Sequence, residues 1–263
     1  MTETWRGTWV VAYRELLRFV NERSRLIGSF AQPLIFLVIF GVGFGNMIGT
    51  LAPGVNFIQF MYPGIIAMGV LTTSLFAGVS VVWDREFGFL RELLVAPLGR
   101  TGIVLGKALG AAVVALLQVG LMLLITPIVG VTVDLSTIVR LIPIVFILSI
   151  ALSGLGLLLA SFMRSQQGFQ LLIQLLIFPL IFLAGVFFPI NQAPEWLQVV
   201  SKFNPLTYGV DAIRQVFLGS EAAAVLGVTV LGHTMSLGEE VALVAVFALV
   251  LLTAAGWAFR RQE

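Results

Sequence analysis

The chain has 263 residues, of which 59% are hydrophobic and only 11% are charged, and its formal net charge is +2. Soluble domains carry about 25% charged residues, so a surface with so few charges suits lipid rather than water. The sequence has no cysteine and one histidine, which excludes disulfides and thiolate metal sites and argues against a transition-metal site. The small net charge, without a basic cluster among aromatic residues, argues against a nucleic-acid partner.

Residues 1–25 are predicted to form an amphipathic interface helix on the membrane surface. Trp5 and Trp9 fall on one face at helical spacing, and Arg14 and Arg18 project from the opposite face. Tryptophan favours the depth of the lipid headgroups, and the arginines suit anionic lipid or a cytoplasmic partner. A plain membrane anchor explains the pattern about as well as a partner interface does.

Six long apolar runs are predicted to cross the membrane as helices, because about 20 apolar residues span about 30 Å of hydrocarbon. The runs are residues 26–49, 57–82, 103–131, 141–162, 169–188 and 241–259. Strand-like alternation is missing, which argues against a transmembrane barrel of strands. Lysine and arginine concentrate on one side of this topology, so both termini are predicted to face the cytoplasm.

A short charged helix is predicted over residues 83–97, between the second and third spans. Apolar side chains recur there at helical spacing, and Pro97 ends the helix. Charges of both signs cover its ends and polar face, which favours a docking surface for a cytoplasmic protein over a solvated loop. The candidate contact residues are Asp84, Arg85, Glu86, Phe87, Arg91 and Glu92.

Polar and small residues form stripes within the predicted spans. Gln166, Gln170 and Gln174 recur every four residues at the start of the fifth span, so this face is predicted to point at protein or at a cavity. Hydrogen bonding between helices explains the stripe about as well as a substrate path does. Glycines at the same spacing, over residues 41–49 and 102–110, predict close helix packing.

Residues 189–240 form the longest predicted segment outside the spans, and they are expected to lie on the outer side. Prolines divide the segment into pieces, and the apolar piece around Trp196 is too short to cross the bilayer but could dip into it as a re-entrant helix. Asp211 and Arg214 are three positions apart, which allows them to pair on one helical face.

Several kinds of chemistry lack their motifs in this sequence. No acidic or basic residue lies near the middle of a predicted span, which disfavours a proton- or sodium-driven carrier. The phosphate-binding pattern G-x-x-x-x-G-K-[ST] and the nucleophile pattern G-x-S-x-G are both missing. If ATP drives this protein, another chain must bind the nucleotide.

The sequence resembles the type-2 ABC transporter permeases over nearly its whole length. The resemblance is carried by the outer segment, the start of the second span and the charged loop, at Leu183–Ile190, Ala193–Leu197, Asn204–Tyr208, Asp211–Arg214, Phe60–Ile65 and Arg85–Pro97. It implies a multi-pass permease subunit in the inner (cytoplasmic) membrane of a prokaryote. This subunit would pair with a second permease copy, identical or related, and with separate ATPase subunits that bind ATP and Mg.

The resemblance also implies roles for the segments described above. The interface helix and the 83–97 helix would contact the ATPase as interface and coupling helices, and spans two and five would line the path. The outer segment would shape the extracellular gate, at Phe187, Phe188, Trp196, Asp211 and Arg214. The chain itself would bind no cofactor and would not be an enzyme.

The expected cargo is a hydrophobic or amphipathic molecule, such as a drug, a lipid or a lipid-linked glycan. The alternative function is a channel without energised transport, or a membrane scaffold component. Co-purification of a nucleotide-binding subunit with transport-linked hydrolysis would distinguish the two functions.

Overall fold

The computed structural model is almost entirely helical in the part of the chain that it describes. The described residues are 2–52, 54–86, 100–131, 133–230 and 232–260, and side chains are described in these ranges except at 2–6, 23–26, 46, 48, 52, 100, 101, 220–224 and 260. Strands occur there only as two short antiparallel hairpins, β1 (Thr50–Ala52) with β2 (Val55–Asn56) and β3 (Thr229–Val230) with β4 (His233–Thr234).

The helices follow one another with short connections. In chain order they are α1 (Thr2–Asn21), α2 (Arg23–Phe36), a π-helix (Leu37–Val42), α3 (Gly43–Ile48), α4 (Phe57–Leu75), α5 (Ala77–Glu86), α6 (Arg100–Leu123), α7 (Thr126–Val129), α8 (Leu135–Phe162), α9 (Gln166–Leu183), a 3-10 turn (Ile190–Gln192), α10 (Glu195–Ser201), α11 (Pro205–Leu226) and α12 (Leu237–Arg260).

Six of these helical stretches are long and apolar enough to cross a membrane. Spans one to six are Ile27–Gly45, Phe57–Glu86, Gly102–Leu123, Leu135–Phe162, Gln166–Leu183 and Leu237–Phe259. The prediction of an all-α membrane protein with six spanning helices is therefore confirmed.

The second span differs from its predicted extent at the end that leads into the charged loop. The helix is interrupted near Phe76 and then continues as α5 to Glu86, so Trp83 lies in the last turn of this span. The sequence pattern instead placed Trp83 at the start of a separate helix. The difference arises because the neighbouring Asp84 is paired inside the protein, which allows the helix to continue past residue 82. The rest of the predicted coupling helix, residues 87–97, lies outside the described residues.

The fourth span begins earlier than its apolar run, because Asp134 caps the helix. The carboxylate of Asp134 accepts hydrogen bonds from the hydroxyl and the N–H of Thr137 and from the hydroxyl of Ser136. These hydrogen bonds lower the pKa of Asp134 to about 2, so the cap is ionised at neutral pH. The helix therefore starts at Leu135, six residues before the predicted residue 141.

Span two lies at the centre of the bundle. Within its most apolar window 83% of residues are buried, compared with 17% in span one and 22% in spans five and six. Spans one, five and six are therefore peripheral in this chain, and they present broad apolar faces to lipid or to another protein.

The second glycine stripe produces the close packing that the sequence predicted. A Cβ atom built on Gly106 would lie 2.9 Å from the Thr8 carbonyl oxygen, and one on Gly110 would lie 3.2 Å from the Ala12 carbonyl oxygen. These two glycines let α1 lie directly against α6. In the first stripe the contact is ordinary, since a Cβ on Gly41 would be 3.4 Å from its nearest neighbour.

The tightest helix crossing joins spans two and four. A Cβ atom on Gly156 would lie 2.5 Å from the Leu75 carbonyl oxygen, and one on Gly78 would lie 2.5 Å from the Gly156 carbonyl oxygen. Backbone atoms cannot swing aside as a flexible side chain can, so this crossing depends on two glycines.

We expect Gly156→Ala to lower the unfolding free energy by about 1–3 kcal/mol, because the added methyl group forces α4 and α8 apart. The matched control is Gly120→Ala, at a helical position with no neighbouring atom within 4 Å, where the effect should be neutral or slightly stabilising. Thermal unfolding of the detergent-solubilised protein measures both variants. Equal midpoints for Gly156→Ala and the unmodified protein would contradict this packing.

Candidate functional site

Each end of the helix bundle contains its own group of polar and charged side chains. At one end α1 packs against the start of α6, and the end of α5 meets the end of α8 and the start of α9. We call this the α1 end. At the opposite end, the α10 end, α11 and the β3–β4 hairpin meet the starts of α4 and α12. The predicted ATPase contacts fall at the α1 end and the predicted gate residues at the α10 end.

Lys107 is the centre of a buried ionic cluster at the α1 end. Its side chain is 1% exposed, and its Nζ atom lies 2.9 Å from Asp84 Oδ2 and 3.8 Å from Glu15 Oε1. Nζ also donates a hydrogen bond to the Ser80 hydroxyl, at 2.7 Å. Arg14 Nη2 lies 3.7 Å from the same Asp84 oxygen. This Lys107 cluster joins α1, the last turns of span two and the start of span three.

The predicted coupling residues that are described make contacts within the chain. Asp84 is buried against Lys107, and Arg85 donates hydrogen bonds to two carbonyl oxygens at the end of span four, at 3.2 and 2.8 Å. Glu86 accepts the N–H of Gln166, at 3.0 Å, and so contacts the first turn of span five. Three further candidates lie outside the described residues, namely Phe87, Arg91 and Glu92.

The interface helix α1 presents both apolar and charged side chains at the surface. Trp9 is 71% exposed, and Arg14 is also exposed although it reaches Asp84. The Arg18 guanidinium stacks over the Trp83 ring at 4.9 Å from its centroid, which links α1 to the last turn of span two. The side chain of Trp5 lies outside the described part of the chain.

A polar cavity of about 440 Å³ opens at the α1 end, between α1, α2, span two and α9. Gln166 and Gln170 line it, together with Gln32, Thr72 and Trp83. Charged side chains of both signs also line it, at Glu15, Arg18 and Glu22. The cavity therefore offers hydrogen-bonding amides and hydroxyls next to an apolar, lipid-facing surface.

The glutamine stripe is divided between this cavity and the exposed surface. Gln166 and Gln170 are half-buried in the cavity wall, whereas Gln174 is exposed on the outer face of span five. Leu171 and Leu175 on the same span are 68% and 72% exposed. A substrate path along all three glutamines would therefore need further protein beside Gln174, which this single chain does not supply.

Arg214 is buried at the α10 end and connects three segments of the chain. Its Nη2 atom donates to the Gly185 carbonyl at 2.8 Å, and its Nε atom donates to the Phe60 carbonyl at 3.4 Å. The guanidinium lies 3.9 Å from the centroid of the Phe60 ring, and Nη1 lies 3.7 Å from Asp211 Oδ1. Burial lowers the pKa of Arg214, and the Asp211 and Glu240 carboxyls oppose that shift. The side chain stays cationic, because the pKa of a free arginine lies far above neutrality.

The start of α11 is buried in the bundle, and Asp211 and Arg214 lie on one face of it, as their spacing predicted. Asn204 donates a hydrogen bond from Nδ2 to the Leu180 carbonyl, at 2.8 Å, and Thr207 donates one to the Leu183 carbonyl. Residues 204–214 are all buried. Entry of these helices into the bilayer stays a prediction.

The predicted gate residues are not gathered into one cluster. Phe187 packs against the aromatic rings of span one, with ring centroids 4.7 Å from Phe40 and 5.9 Å from Phe36. Phe188 is half-buried, whereas Trp196 on α10 is 66% exposed. The buried pair of Asp211 and Arg214 forms a separate centre.

Glu240 is the residue of this region that sequence reasoning missed. It lies in the first turn of α12 with 0% of its surface exposed, and its Oε2 atom accepts a hydrogen bond from Gln215 Nε2 at 2.9 Å. Among the described residues, its other oxygen, Oε1, is buried without a hydrogen-bond partner, and so is Oδ1 of Asp211. An acidic residue at the start of an apolar run normally lies at a helix end in contact with water. Glu239 is exposed in this way, but the neighbouring Glu240 is buried.

The comparisons with known proteins agree on one family. The family model described as ABC-2 type transporter matches residues 6–218. The transport permease ycf38 of Cyanophora paradoxa is 30% identical over 92% of this chain and 85% of its own length. Nodulation protein J of Rhizobium leguminosarum bv. trifolii is 30% identical over 82% and 80%, and the inner membrane transport permease YadH of Escherichia coli (strain K12) is 27% identical over 80% and 84%.

The family match extends from the interface helix to the end of the buried α11 segment, so it includes both polar centres except for Glu240. Proteins of this family are membrane subunits of transporters and are not themselves catalytic. The fold, the six spanning helices and the matched relatives lead to the same conclusion. The chain belongs to the ABC-2 type transporter family, as a membrane permease.

Proposed function

We propose that this chain is the permease subunit of an exporter that moves a hydrophobic or amphipathic molecule out of the cytoplasm. ATP and Mg would be bound by a separate ATPase subunit, and this chain would hold no cofactor. The Lys107 cluster is the observation that supports this proposal most directly. It ties the interface helix to the part of the chain that leads into the predicted ATPase-contact loop.

The α1 end would face the cytoplasm in the inner membrane of a prokaryote. The concentration of arginine and lysine at this end supports that orientation. The E. coli relative is itself described as an inner membrane transport permease.

The Lys107 cluster gives a physical route for coupling. A push on residues 87–97 would reach Asp84, which is ion-paired with Lys107 on span three. The same push would reach span four through Arg85 and span five through Glu86. The contact between Asp84 and Lys107 is buried, so separating these two side chains would leave an unpaired charge, and a displacement of Asp84 is expected to move span three with it.

The polar cavity would receive the substrate at the cytoplasmic side. Its amides and hydroxyls suit a polar group, and the apolar faces of spans one and five suit a hydrocarbon portion, which together describe an amphipathic molecule. Gln174 faces outward above the cavity, so the path would be completed by a second permease copy, identical or related.

The direct test is to purify the chain with its ATPase subunit and to reconstitute the complex in vesicles. The proposal predicts substrate-stimulated ATP hydrolysis together with ATP-dependent movement of an amphipathic fluorescent lipid. Movement without nucleotide would instead support a channel. A chain that inserts without holding any ATPase subunit would support a scaffold component.

We expect Lys107→Met to lower the unfolding free energy by about 3 kcal/mol, because the buried Asp84 would lose its hydrogen-bonded cation and keep only the exposed Arg14, at 3.7 Å. Lys107→Arg keeps the charge and should retain part of the coupling between ATP hydrolysis and transport. Thermal unfolding and transported substrate per ATP measure the two effects. The control is Lys202→Met at the opposite end, and equal losses in Lys107→Met and Lys202→Met would refute the coupling route.

We expect Gln170→Leu to change the dependence of ATP hydrolysis on substrate, because it removes an amide from the cavity wall. The matched control is Gln167→Leu, which lies on an exposed surface outside the cavity and should behave as the unmodified protein. The measurement is the substrate concentration that gives half-maximal stimulation. If both variants shift this value equally, the cavity is not the substrate site.

We expect Leu206→Cys to be protected from a membrane-impermeant thiol reagent in the nucleotide-free complex, because Leu206 is 0% exposed. Trapping the complex with ATP should open the α10 end and increase the labelling rate. Glu195→Cys, at an exposed and charged position outside the predicted gate residues, is the control and should react in both states. The chain has no cysteine of its own, so each label reports one site. Protection of Leu206→Cys in every nucleotide state would contradict a gate here.

A further inference from the structure

We propose that Asp211 and Glu240 share one proton while the α10 end is closed, and that opening of this end releases the proton to the outer solution. The shared proton is inferred from the positions of the two carboxyl groups and of their neighbours. The second part rests on the proposed role of this end as the gate.

Two buried carboxyl oxygens at this centre lack a donor. Within the described part of the chain, neither Asp211 Oδ1 nor Glu240 Oε1 receives a hydrogen bond from an N–H or hydroxyl group. The two groups face the same site, because Gln215, one helical turn after Asp211 on α11, donates a hydrogen bond to Glu240 Oε2. An ionised carboxylate only accepts hydrogen bonds, so a bond between two carboxyl groups requires that one of them carries a proton.

The surrounding contacts assign this proton to Glu240. Asp211 Oδ2 accepts the Val228 N–H at 2.7 Å, and Asp211 Oδ1 lies 3.7 Å from Arg214 Nη1, so two partners stabilise its ionised form. Glu240 Oε2 has one neutral donor, the Gln215 amide, at 2.9 Å. Glu240 Oε1 then donates its proton to Asp211 Oδ1.

Charge balance gives the same assignment. With the proton in place, one anion, Asp211, faces one cation, Arg214, and the centre is neutral. Without it, two anions would face a single cation where the exposed fractions of Asp211 and Glu240 are 1% and 0%. A buried, uncompensated charge costs several kcal/mol, which ordinarily forces the group to take up a proton.

The other titratable groups near the pair do not supply the missing donor. The Tyr208 hydroxyl donates to the Lys202 carbonyl, and the Tyr62 hydroxyl on span two donates to the Met122 carbonyl. Glu239 is exposed, where it accepts hydrogen bonds from Ser236 and lies 3.3 Å from the exposed His233. Among the residues that the structure describes, Arg214 is therefore the cation that faces the pair.

Opening of the α10 end would change the number of bound protons. A solvated glutamate ionises at about pH 4, so at neutral pH the opened centre gives up the proton that the closed centre holds. The closed form thus binds one proton more than the open form. By linkage, acid favours the closed form and alkali favours the open form, with a tenfold change in the equilibrium per pH unit.

The first experiment detects the proton directly. Infrared spectroscopy of the nucleotide-free complex at neutral pH should show the carbonyl stretch of a protonated carboxylic acid. Glu240→Gln should remove this band and keep the fold, because the glutamine amide can donate to Asp211 in place of the proton. The matched control, Glu195→Gln, alters an exposed carboxylate at the same end and should leave the band unchanged. Absence of the band from the unmodified complex overturns the shared proton, whether or not the variant is recovered.

The second experiment tests the link to opening. The labelling rate of Leu206→Cys, divided by that of the exposed Glu195→Cys, corrects for the pH dependence of the thiol itself. This ratio should rise about tenfold per pH unit in the otherwise unmodified chain and should be independent of pH in Glu240→Gln. The same slope in both backgrounds overturns the link. A band without nucleotide-dependent labelling would refute the gate and leave the shared proton standing.

Discussion

A charge that is buried among membrane-spanning helices must be paired within the protein, because neither lipid nor water is available to stabilise it. This constraint shapes both ends of the bundle. At the α1 end, Lys107 is 1% exposed and is paired with carboxylates from two other helices. At the α10 end, Arg214 is 3% exposed and holds Asp211 together with two backbone carbonyls. Between these centres the described buried side chains are mostly apolar, and the buried polar groups among them are neutral, as in the hydrogen-bonded pair of the Ser74 and Ser149 hydroxyls.

The two centres fix segments that would otherwise be loosely attached. The interface helix α1 has an exposed apolar face, and its glycine-mediated contact with α6 is completed by the ion pair from Glu15 to Lys107. The α11 segment returns into the bundle because Arg214 bonds both the end of span five and the start of span two. In each case one buried cation joins elements that are distant in sequence.

The sequence allowed the spans to be predicted because about 20 apolar residues in a row leave few alternatives. The pairing of Asp211 with Arg214 was also predictable, since their spacing places them on one helical face. The roles of Lys107 and Glu240 were not predictable in the same way. Each stands near the end of an apolar run, where sequence alone suggests a solvated charge, and only the packing of other helices buries it.

The end of span two, at Glu86, was likewise not predictable from the sequence alone. The charges after residue 82 predict a surface helix, yet Asp84 is directed into the protein, so the span continues to Glu86. The glutamine stripe is a further example. Its spacing predicts one polar face, but Gln170 meets a cavity formed by three other helices, whereas Gln174 lies where this chain supplies no neighbour for it. Periodicity defines a face of a helix but not what packs against that face.

If the Lys107 cluster connects the two ends of the bundle, a movement at the α1 end is accompanied by a movement at the α10 end. Spin labels at Trp9→Cys and Trp196→Cys, two exposed positions at opposite ends, report this connection as a distance within one labelled copy of the ATPase complex. ATP trapping should change this distance, and Lys107→Met should abolish the change while nucleotide still binds. A full change of distance in Lys107→Met would show that the two ends move together without the Lys107 cluster.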